Sequence, residues 1–112
     1  MSIYSQAQEV AIERISKKDI HICVIGVGTI GLPLATFLAK NGFSVKGLDI
    51  NEQRVSEINS GNIIYEYQND LKTLVKEKKL VATTNVKVAL EKAEIIFICV
   101  PTPLNKNNEM DI

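Results

Sequence analysis

The amino-acid sequence predicts an α/β fold with a doubly wound parallel sheet, and three observations support this prediction. Short apolar runs alternate with helical patterns along the chain, which is the order that builds parallel sheets with helical crossovers. An early run leads directly into three closely spaced glycines. A later run, Glu94–Val100, is apolar at successive positions, as expected for a central strand that is buried on both faces. The expected strand order is 3-2-1-4.

Length and charge limit the classes of protein to consider. The 112 residues suffice for one domain, and 13 basic side chains balance 13 acidic ones, so nothing predicts a nucleic acid or an anionic membrane as a partner. No apolar run approaches the roughly 20 residues of a membrane span, and residues 1–18 lack the features of a secretory signal. We therefore expect a cytoplasmic protein.

The first predicted element is an amphipathic helix within residues 1–18. Its apolar residues recur at helical spacing, at Ile3, Ala7, Val10, Ala11 and Ile15. We expect the helix to pack on the main domain, residues 19–112, although such a face also fits docking on another subunit.

Three glycines follow the first predicted strand. Its apolar part, Ile22–Ile25, runs into Gly-Val-Gly-Thr-Ile-Gly at 26–31 and then into a helical pattern, and this context gives the spacing its meaning. Gly26 permits a tight turn, Gly28 lets backbone amides approach a pyrophosphate, and Gly31 lets the helix pack closely on the strand. Phosphates would then bind the unpaired amides at the positive end of the helix.

An acidic residue follows the second predicted strand, Phe43–Leu48. Asp49 lies about 20 residues beyond the glycines, where a carboxylate accepts hydrogen bonds from the adenosine ribose of a dinucleotide. It also argues against NADP, because a 2′-phosphate at about 4 Å would meet a repulsion of about 4 kcal/mol at an effective dielectric of 20. Two roles are equally consistent with the position of Arg54: a contact at the edge of the cofactor, or an ordinary solvent-exposed position on a helix.

The remaining predicted elements continue the alternation of strands and helices along the chain. Helices are predicted over residues 51–59, 70–79 and 85–92, with a third strand over Leu80–Thr83. After the fourth strand, Val-Pro-Thr-Pro at 100–103 should emerge beside the glycine turn, at the carboxyl edge of the sheet. The prolines would hold the Thr102 hydroxyl towards a cofactor, or the segment is a plain rigid turn.

The two cysteines are predicted to be buried free thiols. Cys23 and Cys99 each lie in an apolar Ile-Cys-Val segment, where a thiol behaves as a small hydrophobic side chain. Neither has the spacing of metal ligands, and a disulfide is not expected in a reducing compartment. We therefore expect no metal site.

With these motifs in place, the chain resembles the N-terminal NAD-binding domain of the UDP-glucose/GDP-mannose dehydrogenase family, the nucleotide-sugar 6-dehydrogenases. The resemblance starts near Ile20 and rests on the glycine segment at 26–35, Val-x-Gly-x-Asp at 45–49, Asn-x-Gly at 59–61, Leu-x-x-Thr-Thr at 80–84 and Val-Pro-Thr-Pro at 100–103. It implies a Rossmann-like sheet and NAD as the cofactor. The predicted cofactor-binding residues are Gly26, Gly28, Thr29, Ile30, Gly31, Asp49, Arg54, Val100, Pro101 and Thr102.

The resemblance also implies an activity that this chain does not carry out alone. Members of the family oxidise the sugar C6 alcohol to a carboxylate with two NAD, through a cysteine-linked thioester, in polysaccharide biosynthesis. Their nucleophilic cysteine and most substrate contacts lie beyond this domain, so no residue here is predicted to be catalytic, and only the full-length parent would bind the nucleotide sugar. The residues after position 100 favour UDP-N-acetylhexosamines over UDP-glucose.

Two further expectations concern the fourth strand and the function. A doubly wound nucleotide domain continues with another helix and two strands, so we interpret the fold as truncated after the fourth strand. The free edge of that strand predicts self-association into a homo-oligomer. An alternative function is a regulatory module that senses NAD or NADH without chemistry, which would share the glycines and Asp49 but differ at Val100–Pro103.

Overall fold

The computed structural model describes residues 3–63 and 66–100, and it confirms the α/β class. Helices and strands alternate along this part of the chain, in the order α1 Ile3–Ser16, β1 His21–Ile25, α2 Gly31–Lys40, β2 Ser44–Leu48, α3 Glu52–Ser60, α4 Gln68–Lys76, β3 Leu80–Thr83, α5 Val86–Leu90 and β4 Ile95–Ile98. Within the same residues, no helix combines the length and the apolar character that a membrane span needs.

The four strands form one parallel sheet in the order β3-β2-β1-β4, as predicted. In the register of the sheet, Ile22 of β1 lies between Val45 of β2 and Ile95 of β4. Because all strands are parallel, their carboxyl ends share one edge of the sheet, where ligands of such folds bind. The turn after β1 therefore lies beside the residues that follow β2.

The core lies on both faces of β1. Ile22, Cys23 and Val24 are at most 4% exposed. The larger apolar cluster joins β1 to α2, α3 and α4, and a smaller one joins Cys23 to Leu48 and to Ala89 of α5. Helices thus cover both faces, which is the doubly wound arrangement. The strand β2 is less fully buried than β1, since Ser44 is exposed and Lys46 is half-buried.

Two predicted helices end earlier than expected. The predicted 70–79 helix begins at Gln68 and ends at Lys76, because the next turn closes with Lys78 in the left-handed region at φ 61° and with a hydrogen bond from Lys79 N to Leu74 O. The predicted 85–92 helix ends at Leu90. Asn85, the first residue of the predicted range, is its N-cap, and the Asn85 side chain accepts a hydrogen bond from Val88 N. Lys76–Lys79 is exposed, in agreement with a solvated helix end.

The prediction that the fourth strand is buried on both faces is wrong for the residues described. Ile95, Ile96, Phe97 and Ile98 are 40, 48, 37 and 71% exposed. Within the described sheet β4 is an edge strand with β1 as its neighbour, and the short helix α5 contacts β2 and β3 instead. The strand is also shorter than the predicted 94–100.

The N-terminal helix forms as predicted but does not pack on the domain, and that prediction is wrong for its described side chains. Val10, Ile12 and Ile15 are 57, 63 and 48% exposed. The radius of gyration is 16.1 Å, against about 13 Å for a compact chain of about 100 residues, so the structure is elongated.

A bidentate ion pair attaches this helix. The guanidinium nitrogens of Arg14 donate to the Glu94 carboxylate, with distances of 2.6 and 2.7 Å, just before β4. The hydrogen bond from Arg14 lowers the pKa of Glu94, and the same bond raises the pKa of Arg14. Both groups are solvent-accessible, so this pair orients α1 more than it stabilises the fold.

An asparagine closes the outer edge of β3. The Asn59 amide donates to Ala82 O at 2.8 Å and its side-chain oxygen accepts from Ala82 N at 2.9 Å, as a neighbouring strand would do. We expect Asn59→Ala to lower the free energy of unfolding by about 1–2 kcal/mol, because two hydrogen bonds are lost. Urea denaturation measures this loss. Asn69→Ala, at an exposed asparagine in the first turn of α4, is the control; equal losses in the two variants would contradict the assignment.

Candidate cofactor-binding site

The turn between β1 and α2 is built by glycines at two tight positions. Gly26 adopts φ 89°, a conformation that side chains disfavour, and its N–H donates to Leu48 O at 2.7 Å. A Cβ on Gly31 would lie 1.6 Å from Gly26 O, so any side chain there collides with the turn. The two roles that the sequence assigned to these glycines, the turn and the close packing, agree with this geometry.

The tip of the turn is open. Among the described residues, a Cβ on Gly28 would meet no atom within 4 Å apart from its two chain neighbours. No described residue accepts a hydrogen bond from the backbone N–H of Gly28, Thr29 or Ile30, and no side chain caps the start of α2 at Ile30. Three free donors at the positive end of a ten-residue helix form a site suited to an anion.

Two side chains from the end of β2 and from α3 hold the turn at Val27. Asp49 Oδ2 accepts from Val27 N at 3.0 Å, and Asp49 Oδ1 accepts from Asn51 N at 3.0 Å. Arg54 Nε donates to Val27 O at 2.9 Å. The side chain of Asn51 in turn caps α3 by accepting from Arg54 N. Thus Asp49 binds the N–H of Val27 and Arg54 binds its carbonyl oxygen, and together they fix this residue between the first two glycines.

A cavity of about 560 Å³ lies at the carboxyl edge of the sheet beside this turn. This volume is in the range of sites for small molecules and cofactors. Its lining is mainly apolar, with the Asp49 carboxylate and the turn backbone as polar groups, and consists of Ile25, Gly26, Gly28, Leu48, Asp49, Ile50, Asn51, Thr84, Val86 and Val100.

Most of the predicted cofactor-binding residues line either this cavity or a second one. Gly26, Gly28, Asp49 and Val100 line the first, whereas Gly28, Thr29 and Arg54 line a neighbouring cavity of about 360 Å³ on the other side of the turn. The Ile30 side chain is 73% exposed and lines neither. Pro101 and Thr102 lie outside the described residues.

Six lining residues of the first cavity were not among the predicted site residues, namely Ile25, Leu48, Ile50, Asn51, Thr84 and Val86. Of these, Ile50 is 96% exposed and Val86 is 58% exposed. The sequence position of Ile50 could have predicted its place in the cavity. Ile50 directly follows Asp49, so it lies at the carboxyl edge of the sheet, where ligands bind. Thr84 belongs to the Thr-Thr pair that followed the third strand.

The cysteines are both free thiols. Cys23 is fully buried and burial raises the pKa of its thiol, which disfavours the thiolate that a nucleophile needs. Cys99 is half-buried and packs against the core. Among the described residues there is no cluster of three or more His, Cys, Asp or Glu side chains suited to a metal ion.

Comparisons with known proteins place the whole sheet in one family. The model of the UDP-glucose/GDP-mannose dehydrogenase family, NAD binding domain, matches residues 20–112. The UDP-N-acetyl-D-mannosamine dehydrogenase of Methanococcus maripaludis is 46% identical over 88 residues, which are 79% of this chain and 20% of that protein. Its counterpart from Methanocaldococcus jannaschii is 50% identical over 82 residues, 73% of this chain and 19% of that protein.

Solved structures of nucleotide-sugar dehydrogenases also resemble this chain. The GDP-mannose dehydrogenase from Pseudomonas aeruginosa superposes with a TM-score of 0.75 at 32% identity, over 80% of this chain and 21% of that one. The UDP-D-ManNAc dehydrogenase from Pyrococcus horikoshii gives 0.74 at 37% identity, over 82% of this chain and 22% of that one. The chain thus spans about a fifth of the length of these relatives.

Proposed function

The chain belongs to the UDP-glucose/GDP-mannose dehydrogenase family and carries its NAD binding domain, and from this premise we propose that it forms the cofactor-binding part of a nucleotide-sugar 6-dehydrogenase. Such an enzyme oxidises the C6 alcohol of the sugar to a carboxylate with two NAD. The observation that carries the proposal is the group of three free amides at the start of α2, next to the Asp49 carboxylate.

The glycine turn fits the pyrophosphate of a dinucleotide. An anion at the tip would accept hydrogen bonds from the N–H groups of Gly28, Thr29 and Ile30 and would lie at the positive end of the α2 dipole. The space next to Gly28 is open, so the backbone can be approached closely. When bound there, NAD supplies the hydride acceptor for the oxidation.

Asp49 fits the ribose of the adenosine half. Each carboxylate oxygen has two acceptor positions and uses one for a backbone N–H, so both retain a position for a ribose hydroxyl. The apolar side chains of Leu48, Ile50 and Val86 line the same cavity and would cover the adenine ring, which removes the exposed Ile50 and Val86 side chains from water.

We assign Arg54 mainly as a positioning residue. Its Nε holds Val27 O, so the side chain keeps the turn in the conformation that exposes the three amides. The nicotinamide half would extend towards Val100, where Pro101 and Thr102 follow. These two contacts remain predictions.

The substrate of the complete enzyme is proposed to be a UDP-N-acetylhexosamine. Relatives named as UDP-N-acetyl-D-mannosamine dehydrogenases and as UDP-N-acetyl-D-glucosamine 6-dehydrogenase support this class over UDP-glucose. Neither thiol has the character of the family nucleophile, so the chain is proposed to bind NAD without oxidising a sugar. Two further points remain predictions: the cytoplasmic location of the protein, and the division of the chain into an N-terminal helix, residues 1–18, and a main domain, residues 19–112.

Isothermal titration calorimetry tests the proposal. We expect the chain to bind NAD at one site and to bind NADP at least about 100-fold more weakly, because a 2′-phosphate near Asp49 meets a repulsion of the order of 4 kcal/mol before screening. Equal affinity for the two dinucleotides would contradict the role of Asp49. Absence of NAD binding would contradict the proposal as a whole.

A further inference from the structure

A glycine lies within β2 at a position where the backbone conformation does not call for one. Gly47 is buried, and its φ is outside the left-handed region that favours glycine. A glycine inside a strand weakens the strand and often marks a place of close approach. Here the approaching group is the side chain of Val27, since a Cβ on Gly47 would lie 2.6 Å from Val27 Cγ1. Gly47 thus leaves the room that Val27 occupies.

The Val27 side chain has little freedom to avoid an added atom. Val27 is 1% exposed and belongs to the larger apolar cluster, where close packing leaves few other positions. Its branching at Cβ also limits the χ1 rotamers that are open to it. A methyl group on Gly47 would therefore displace the whole of Val27, including its backbone.

One face of β2 contacts both the side chain and the backbone of Val27. Residues two positions apart point to the same face of a strand. Asp49 follows Gly47 at this spacing, and the Asp49 N–H donates to Thr83 O, so the pairing with β3 continues through it. Gly47 makes room for the Val27 side chain, and Asp49 Oδ2 accepts from the Val27 N–H at 3.0 Å. The Gly-x-Asp spacing therefore places Val27 as a whole.

The position of Val27 determines where the Gly28 N–H points. The Val27 carbonyl and the Gly28 N–H belong to one planar trans peptide group, in which they point in opposite directions. Because Arg54 Nε donates to that carbonyl at 2.9 Å, it also fixes the direction of the N–H. A displacement of Val27 would rotate this peptide group and move the first of the three free amides.

We propose that Gly47 is a positioning residue of the cofactor site, which acts through Val27 on the amide of Gly28. This proposal rests on the proposed function, since it requires that the Gly28 amide binds the pyrophosphate of NAD. Gly47 lines neither of the two cavities beside the turn. Its missing side chain sets how closely Val27 packs on β2, and thereby the direction of a donor to the cofactor.

An exchange of side-chain size between the two positions tests the proposal by calorimetry on variants that circular dichroism shows to be folded. Gly47→Ala should raise the dissociation constant for NAD at least about ten-fold, because Val27 has to move. Val27→Ala removes the Cγ1 atom that the added methyl group would meet. The double variant Gly47→Ala/Val27→Ala should therefore bind NAD no more weakly than Val27→Ala alone.

The amide spectrum without cofactor separates positioning from a simple loss of stability. Gly47→Ala should shift the Gly28 amide signal of the free protein, and the double variant should return it towards its original position. The matched control is Val45→Ala, which removes two methyl groups from a 2% exposed valine of β2 in the same apolar cluster. This control should lower the free energy of unfolding and leave the NAD affinity of the folded protein unchanged.

A Gly47→Ala variant with full NAD affinity would overturn the proposal, as would an equal loss of affinity from Gly47→Ala with and without Val27→Ala. If Gly47→Ala alone does not fold, Val27→Ala and the double variant provide the comparison, and weaker binding by the double variant would overturn the proposal. Absence of NAD binding by the unmodified chain would instead contradict the proposed function, so the two failures are distinguishable.

Discussion

Gly28→Ala is expected to weaken NAD binding by at least about ten-fold while the chain stays folded. The new methyl group would occupy the open space at the tip of the turn, where no atom of the described residues beyond the two chain neighbours lies within 4 Å, and would keep a pyrophosphate away from the free amides. Because the added carbon meets nothing in the protein, the free energy of unfolding should change by less than about 1 kcal/mol. Calorimetry and urea denaturation measure the two quantities separately.

Gly31→Ala is the matched variant with the opposite expectation. Its methyl group would lie 1.6 Å from Gly26 O, and the helix cannot move away without breaking its packing on β1. We expect a loss of about 3 kcal/mol or more in the free energy of unfolding, a large part of the stability of a small domain. If Gly28→Ala were as destabilising as Gly31→Ala, or left NAD affinity intact, the separation of binding and packing roles would be wrong.

Asp49→Asn is expected to reduce the preference for NAD over NADP from at least about 100-fold to near unity. The amide removes the negative charge that repels a 2′-phosphate and supplies one acceptor oxygen where the carboxylate supplied two. Since both oxygens accept from backbone N–H groups, at Val27 and Asn51, the variant also loses about 1–3 kcal/mol of stability.

The ratio of the dissociation constants for NAD and NADP separates the change in cofactor preference from the loss of stability. A less stable variant has a smaller folded fraction, but this reduces the apparent affinity for NAD and NADP equally and cancels in the ratio. The control is Asp70→Asn, at a half-buried carboxylate of α4 that pairs with Lys40 of α2; this variant should keep the ratio of the unmodified chain. An Asp49→Asn variant with the full preference for NAD would remove Asp49 from the ribose site.

Much of the fold was predictable because local chemistry agrees with the global topology. The apolar run at Ile22–Ile25 and the glycines after it define strand, turn and helix in one segment. Gly61 at φ 72° ends α3 at Ser60, within one residue of the predicted end. The strand order followed from the alternation of strands and helices. The placement of Asp49 beside the glycine turn was predictable because it depends only on this order.

What the sequence did not reveal depends on contacts between distant side chains. The bonds of Asp49 and Arg54 to Val27 join residues more than 20 positions apart, and no periodicity encodes them. The apolar residues of β4 and α1 look the same in sequence whether or not something covers them, so their exposure could not be predicted.

The central claim is that the amides at the start of α2 bind the pyrophosphate of NAD, and an amide-resolved NMR titration tests it most directly. With increasing NAD, the account predicts saturable shifts of the Gly28, Thr29 and Ile30 amide signals, with smaller shifts at Ile50 and Val86 and with much weaker effects of NADP. Saturable binding that left these three amides unperturbed, or no saturable shift at all, would contradict the account.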